Sequence, residues 1–125
     1  MTDTDQLTYF LSEKKNILVV TFVGPLVRGS AHILEKCIQE LSKREATWVI
    51  LNLRDVPGTV DRSVFPAFAR LQKNVRDRKA CLRMSALHPS LRLALDEQGL
   101  VRADETSNSL AEALSSLAVN ISRAA

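Results

Sequence analysis

A chain of 125 residues with 46% apolar and 25% charged residues can build one ordinary core without staples. That composition sets aside disordered, collagenous and repeat architectures, and a formal charge of +3 is too mild to be a nucleic-acid footprint by itself. Two cysteines, Cys37 and Cys81, fall inside regular patterns, so free thiols and a cytoplasmic setting are expected rather than a disulfide framework.

The chain opens on Met1-Thr2-Asp3-Thr4-Asp5, acidic and polar where a secretory leader would be basic and then apolar. Residues 7–11 read as a first strand, 13–16 as a hairpin turn, and Ile17–Val23 as a second, more buried strand. The apolar segment 17–27 is broken by Thr21, Gly24 and Pro25. It falls far short of the ~20 residues a membrane helix needs, so no membrane insertion is expected. Gly24-Pro25 ends the strand. Ser30 is the expected N-cap of a first helix whose apolar stripe is Ile33, Leu34, Cys37, Ile38 and Leu41.

Residues 48–53 form a strand-length apolar run rich in β-formers. A loop follows over 54–62, with Pro57-Gly58 marking a turn. Val64, Phe68, Leu71 and Val75 then recur at helical spacing. Pro66 is tolerated only in a first turn, whose N–H groups have no helical partners, so this helix begins between 62 and 65. Ser63 therefore lies at or beside the N-cap. A strand, a short loop and a helix start carrying a serine make a place where an anion or phosphate can sit.

Arg76-Asp77-Arg78-Lys79 reads as a charged turn and 80–85 as a short strand. Pro89 suits the first turn of a small helix through Leu91, Ala94 and Leu95, which Gly99 terminates. Leu100-Val101 is expected as the last strand. Ser109-Leu110-Ala111-Glu112 has the capping-box pattern and leads a closing helix with the stripe Leu110, Ala113, Leu114, Leu117 and Ile121.

This alternation predicts an α/β fold: a single mixed, mostly parallel sheet of about four or five strands packed against about four helices. Right-handed crossovers make the inner strands parallel, with residues 7–11 as an antiparallel edge. One domain spans 1–125, with its core over about residues 6–118. In such sheets sites form beyond the carboxyl ends of strands. Ser63 lies past one end and Arg28 to Ser30 past another, so both loops should share one rim.

Four segments, taken in order, resemble the STAS domain, the module shared by sulfate transporters and anti-sigma factor antagonists. Val23-Gly24-Pro25-Leu26 resembles the family's Gly-x-Leu after the second strand. Val49-Ile50-Leu51-Asn52-Leu53-Arg54-Asp55-Val56 resembles its central strand and following turn. Asp61-Arg62-Ser63 sits where the family carries Asp-Ser-Ser/Thr-Gly before its second helix. Thr106-Ser107-Asn108-Ser109-Leu110-Ala111-Glu112-Ala113-Leu114 resembles its acidic-and-serine lead into an Ala-Leu helix. The resemblance implies a STAS-like fold and an anti-sigma factor antagonist, a regulatory protein that binds a serine kinase doubling as anti-sigma factor. Phosphorylation at Ser63 would switch it off, a serine phosphatase would reset it, and Asp61 would orient the acceptor loop. The implied partner-binding residues are Arg28, Ser30, Asp61, Arg62 and Val64. Arg62 replaces a small hydroxyl residue and Val64 a glycine; the valine stiffens the loop and adds bulk where a kinase approaches. Some small STAS proteins resemble instead an accessory subunit docked on the ATPase of a lipid-transport ABC complex, without phosphorylation.

Read from the residues alone, the same positions have plainer roles. Ser63 as an unmodified cap would contribute ~1 kcal/mol, and Asp61 suits a turn or cap. Arg62 is a solvated charge or a phosphate partner, and Thr59 is a second candidate acceptor. Arg70, Lys73, Arg76, Arg78, Lys79 and Arg83 form a basic cluster that reads as a solvated helix face or as a surface for an acidic partner or anionic lipid. Without interleaved aromatics it is a poor single-strand nucleic-acid surface. His32 and His88 have no partners at metal-ligand spacing. No glycine-rich phosphate loop or nucleophile elbow is present. The reading is therefore of a binding protein that is not an enzyme and needs no cofactor or metal.

Overall fold

The computed structural model of the chain describes residues 6–116. The acidic opening and two residues of the closing stripe, Leu117 and Ile121, lie outside the described residues. Five strands and three full helices follow in order: β1 Thr8–Lys14, β2 Ile17–Val23, α1 Ala31–Leu41, β3 Trp48–Asp55, α2 Phe65–Asp77, β4 Cys81–Ser85, α3 Pro89–Glu97 and β5 Thr106–Ser107. A closing helix, α4, is described over 110–116. The strands lie in the order β1-β2-β3-β4-β5. β1 pairs antiparallel with β2, and all other pairs are parallel.

Burial explains this arrangement. β2 alternates, sending Leu18, Val20 and Phe22 into the core, as a strand covered mainly on one face does. Central β3 is buried continuously from Val49 to Leu53, because both its faces are covered. Val49, Leu51 and Leu53 pack with Leu34, Cys37 and Leu41 of α1 and with Phe68, Leu71 and Val75 of α2. On the opposite face Ile50 meets Ala113 of α4, flanked by Ile17, Val19, Trp48 and Leu110.

Helix ends follow local chemistry. Ser109 Oγ accepts the Glu112 N–H at 3.1 Å, as the capping-box pattern predicts, while the Glu112 carboxylate accepts the Asn108 N–H. At the C-terminus of α3, Gly99 takes φ +70°, which its missing Cβ allows. Its N–H donates to the Asp96 carbonyl and the Leu100 N–H to the Leu95 carbonyl, both at 2.9 Å. These two bonds are a Schellman motif.

That motif corrects one expectation. Leu100-Val101 is not the last strand, because the Leu100 N–H closes the helix and its carbonyl accepts from Gln72 Nε2 at 2.7 Å. The sheet gains its fifth strand later, at Thr106–Ser107. The hairpin is also tighter than expected. β1 runs on to Lys14, which pairs with Ile17, leaving two residues in the turn with Lys15 at φ +57°.

Candidate functional site

The β3–α2 loop crosses the carboxyl end of the sheet and is fastened at three points. Val56 sinks into the core. Gly58 lies against the β4–α3 loop so closely that a Cβ there would sit 2.4 Å from His88 Nδ1. Val60 forms a parallel bridge with Leu26, and the Asp61 N–H donates to the Leu26 carbonyl at 2.9 Å. The loops after β2 and β3 are thus one rim.

Asp61 then turns the chain. From an extended backbone its carboxylate accepts the Ser63 N–H at 2.8 Å, capping a 3-10 turn over Arg62–Val64 that leads into α2. Pro66 stands in the first turn of α2, as its missing N–H requires. The expectation that Ser63 sits at or beside the cap resolves in favour of Asp61, and Ser63 lies within the turn. The two-residue reach of an aspartate to a following N–H is the ordinary Asx geometry. Asp61's carboxyl is held below its usual range first by that N–H, then by the Ser63 hydroxyl beside it, with the Arg28 guanidinium helping from the neighbouring loop.

Of the six residues singled out from the sequence, four share the exposed rim: Arg28, Asp61, Arg62 and Ser63. Thr59 is exposed beside them. The other two point inward. Ser30 is only 2% exposed; its hydroxyl donates to the Pro25 carbonyl at 2.7 Å and accepts the Val27 N–H at 3.0 Å. It ties the β2–α1 loop from beneath, and the expected side-chain cap of α1 is absent because Ser30 is itself helical in conformation. Val64 is fully buried, so its bulk lies in the core and not on the approach to Ser63. Its place in the stripe with Phe68, Leu71 and Val75 decides this.

Gly24 gives the rim its shape on the β2 side. Its φ is +113°, and a Cβ there would meet the Gln6 carbonyl at 2.5 Å. Its N–H donates to the Asp55 carbonyl at 3.1 Å, which links the ends of β2 and β3.

Sequence reasoning missed His88. Its Nδ1 accepts the Ser90 N–H at 3.1 Å and caps α3, and the ring lies against Gly58 of the β3–α2 loop. The signal available was its position directly before Pro89, where a cap belongs. Four of the six residues of the basic cluster are engaged within the protein. Arg70 pairs with Glu35, Lys73 with Asp77 and Arg76 with Glu105, while Arg78 donates to the Leu41 and Arg44 carbonyls at the end of α1. Among the described residues no group of His, Cys, Asp and Glu could hold a metal ion, and no helix is long and apolar enough to cross a membrane.

Comparison with known proteins agrees with this geometry. The STAS domain family matches residues 11–113. A sulfate transporter family protein from Wolinella succinogenes superposes with TM-score 0.76 at 19% identity, covering 89% of this chain and 92% of that one. An anti-sigma factor antagonist from Mycobacterium paratuberculosis gives TM-score 0.76 at 17% identity, over 93% and 97% of the two chains. The phosphorylated form of the Bacillus cell-fate determinant SpoIIAA gives 0.67 at 15% identity, over 88% and 99%. At these identities the likeness is one of fold. No curated protein sequence matches the chain.

Proposed function

The chain belongs to the STAS domain family, and from that premise we propose that it is an anti-sigma factor antagonist switched by phosphorylation of Ser63. Its partner is a serine kinase that also serves as the anti-sigma factor, met in the cytoplasm. The partner docks on the rim of Arg28, Asp61, Arg62 and Ser63 and transfers a phosphoryl group from ATP to Ser63 Oγ. A serine phosphatase removes it. The domain itself performs no chemistry.

One observation carries this reading. The turn that holds Ser63 is capped by Asp61, so the fold does not rely on the Ser63 hydroxyl, which stands exposed at the start of a 13-residue helix. A phosphate adds about −1.5 to −2 charges near pH 7. The positive end of α2 tolerates that charge, while the ionised Asp61 beside it and the acceptor face of a docked partner do not. Modification therefore acts on binding and leaves the fold in place.

The test compares wild type, Ser63→Ala and Ser63→Glu as baits, with captured proteins identified by mass spectrometry and Ser63 examined for phosphate. A serine kinase captured by wild type and Ser63→Ala but lost with Ser63→Glu supports the switch. Equal capture by both variants overturns it. An ABC ATPase brought down by all three baits would instead assign the domain as an accessory subunit of a transport complex, with Ser63 as part of an unmodified docking face.

A further inference from the structure

The rim holds an arginine that no carboxylate of the described residues contacts directly. Arg28 is exposed on the 3-10 turn Arg28–Ser30, and among the described residues it forms no ion pair within 4 Å. Its loop is fixed against the acceptor loop by the Leu26–Val60 bridge and by the Asp61 N–H on the Leu26 carbonyl, two residues from Arg28. Ser30 fastens the same loop from below through Pro25 and Val27. Arg28 therefore stands near Asp61 on a braced backbone, with its five N–H donors free of strong partners.

Arg62, next to Ser63 in sequence, is the other exposed arginine of the rim. It lines a groove with Phe65, Pro66 and Ala69 of α2 and with Gln98 and Leu100 beyond α3.

From this arrangement, and resting on the reading of Ser63 as the phosphoacceptor, we infer that Arg28 is the group that receives the phosphate on Ser63, and that Asp61 opposes it. In the unmodified protein Arg28 lends its charge to the Asp61 carboxylate. A phosphate reaches further from the backbone than a hydroxyl, carries more charge than a carboxylate and presents oxygens that suit a guanidinium fork. The guanidinium then changes partner from Asp61 to phosphate. The modified rim then presents an engaged Arg28 in place of a free one, a second difference that a docked protein would feel besides the phosphate itself.

The experiment uses the full chain with phosphoserine installed at position 63 by nonsense suppression, so it does not depend on any kinase. Phosphorus NMR follows the second ionisation of the phosphate, near pH 6 for free phosphoserine. Arg28→Gln is expected to raise that ionisation by about half a pH unit, and Asp61→Asn to lower it by a similar amount. Arg28→Lys should restore most of the wild-type value, because it keeps the charge. In the wild-type phosphoprotein the Arg28 Nε–H resonance should titrate together with the phosphate, a readout that needs no variant. An unchanged phosphate ionisation in Arg28→Gln, or a larger effect of Arg62→Gln, overturns the assignment. The bait experiment can fail while this one succeeds: Arg28 would then be a phosphate partner on a serine that no kinase modifies.

Discussion

Val64 is where the sequence expectation and the structure of the turn at 61–64 diverge most, and truncating it separates them. The side chain is 0% exposed and sits one residue after Ser63, at the junction of the 3-10 turn and α2. Val64→Ala removes two carbons from this buried position. At about 0.8 kcal/mol per buried carbon the transfer loss is about 1.6 kcal/mol, and the unfilled space adds roughly another 1 kcal/mol. Val64→Gly, which installs the glycine that the resembling motif carries, removes a third carbon and adds about 0.5–1 kcal/mol of backbone entropy. The expected losses are therefore about 2.5 and about 4 kcal/mol, large against a domain stability of about 5–15 kcal/mol. Urea denaturation measures them directly, with the midpoint falling and the slope unchanged. If Val64 were a rim residue facing a partner, Val64→Ala would cost less than about 0.5 kcal/mol and Val64→Gly little beyond its backbone term of about 0.5–1 kcal/mol. That result would refute the placement of Val64 in the core and return its bulk to the approach to Ser63.

Four further outcomes are expected. Gly58→Ala drives a methyl to within 2.4 Å of His88 Nδ1 and 2.8 Å of Ser90 Cβ, so it should cost about 1–3 kcal/mol and shift the His88 and Ser63 resonances together in a proton–nitrogen spectrum; a silent substitution would mean that the two loops are not packed. Arg76→Met leaves Glu105, whose side chain is 10% exposed, without its guanidinium and should cost about 2–3 kcal/mol in urea, whereas Arg76→Met with Glu105→Leu should recover most of that loss. Alkali should destabilise the fold. Burial, then the nearby Glu40 charge, pushes the Cys37 thiol from 9.0 up to about 12, and burial followed by a 2.5 Å hydrogen bond to Glu40 raises Tyr9. Both groups ionise more readily in the unfolded chain, so stability is intact below pH 9 and falls as pH rises above it. Thiol labelling at neutral pH should modify exposed Cys81 first and reach Cys37 only on unfolding.

Much of the architecture was legible because it rests on short-range pattern. The continuous run of β3 and the stripes of α1 and α2 each report which face is covered, and periodicity encodes that directly, whereas the one-sided burial of β2 does not show in its largely apolar sequence. Pro66, Gly99 and Ser109 placed helix ends correctly, because a missing N–H, a left-handed φ and a hydroxyl acceptor are properties of the residue itself. The order of strands and helices, together with weak motifs at the right spacing, sufficed for the family.

What the sequence left open turns on direction in space. Asp61 and Ser63 are both good caps, and only the extended backbone at Asp61, pinned by its N–H to Leu26, decides that Asp61 caps and Ser63 is presented. Ser30 and Val64 belong by position to the rim, yet each turns inward, because a 3-10 turn rotates successive side chains by about a third of a circle. The fifth strand moved from Leu100-Val101 to Thr106–Ser107 because a Schellman closure took the Leu100 backbone groups. Composition and periodicity determined the sheet, its helices and the loop that carries the serine. The helical stripe already places Val64 in the core. Which side chain of that loop holds the backbone and which meets solvent was decided by the anchoring of Val60 and Asp61 to Leu26, a contact between segments far apart in the chain that no local pattern records.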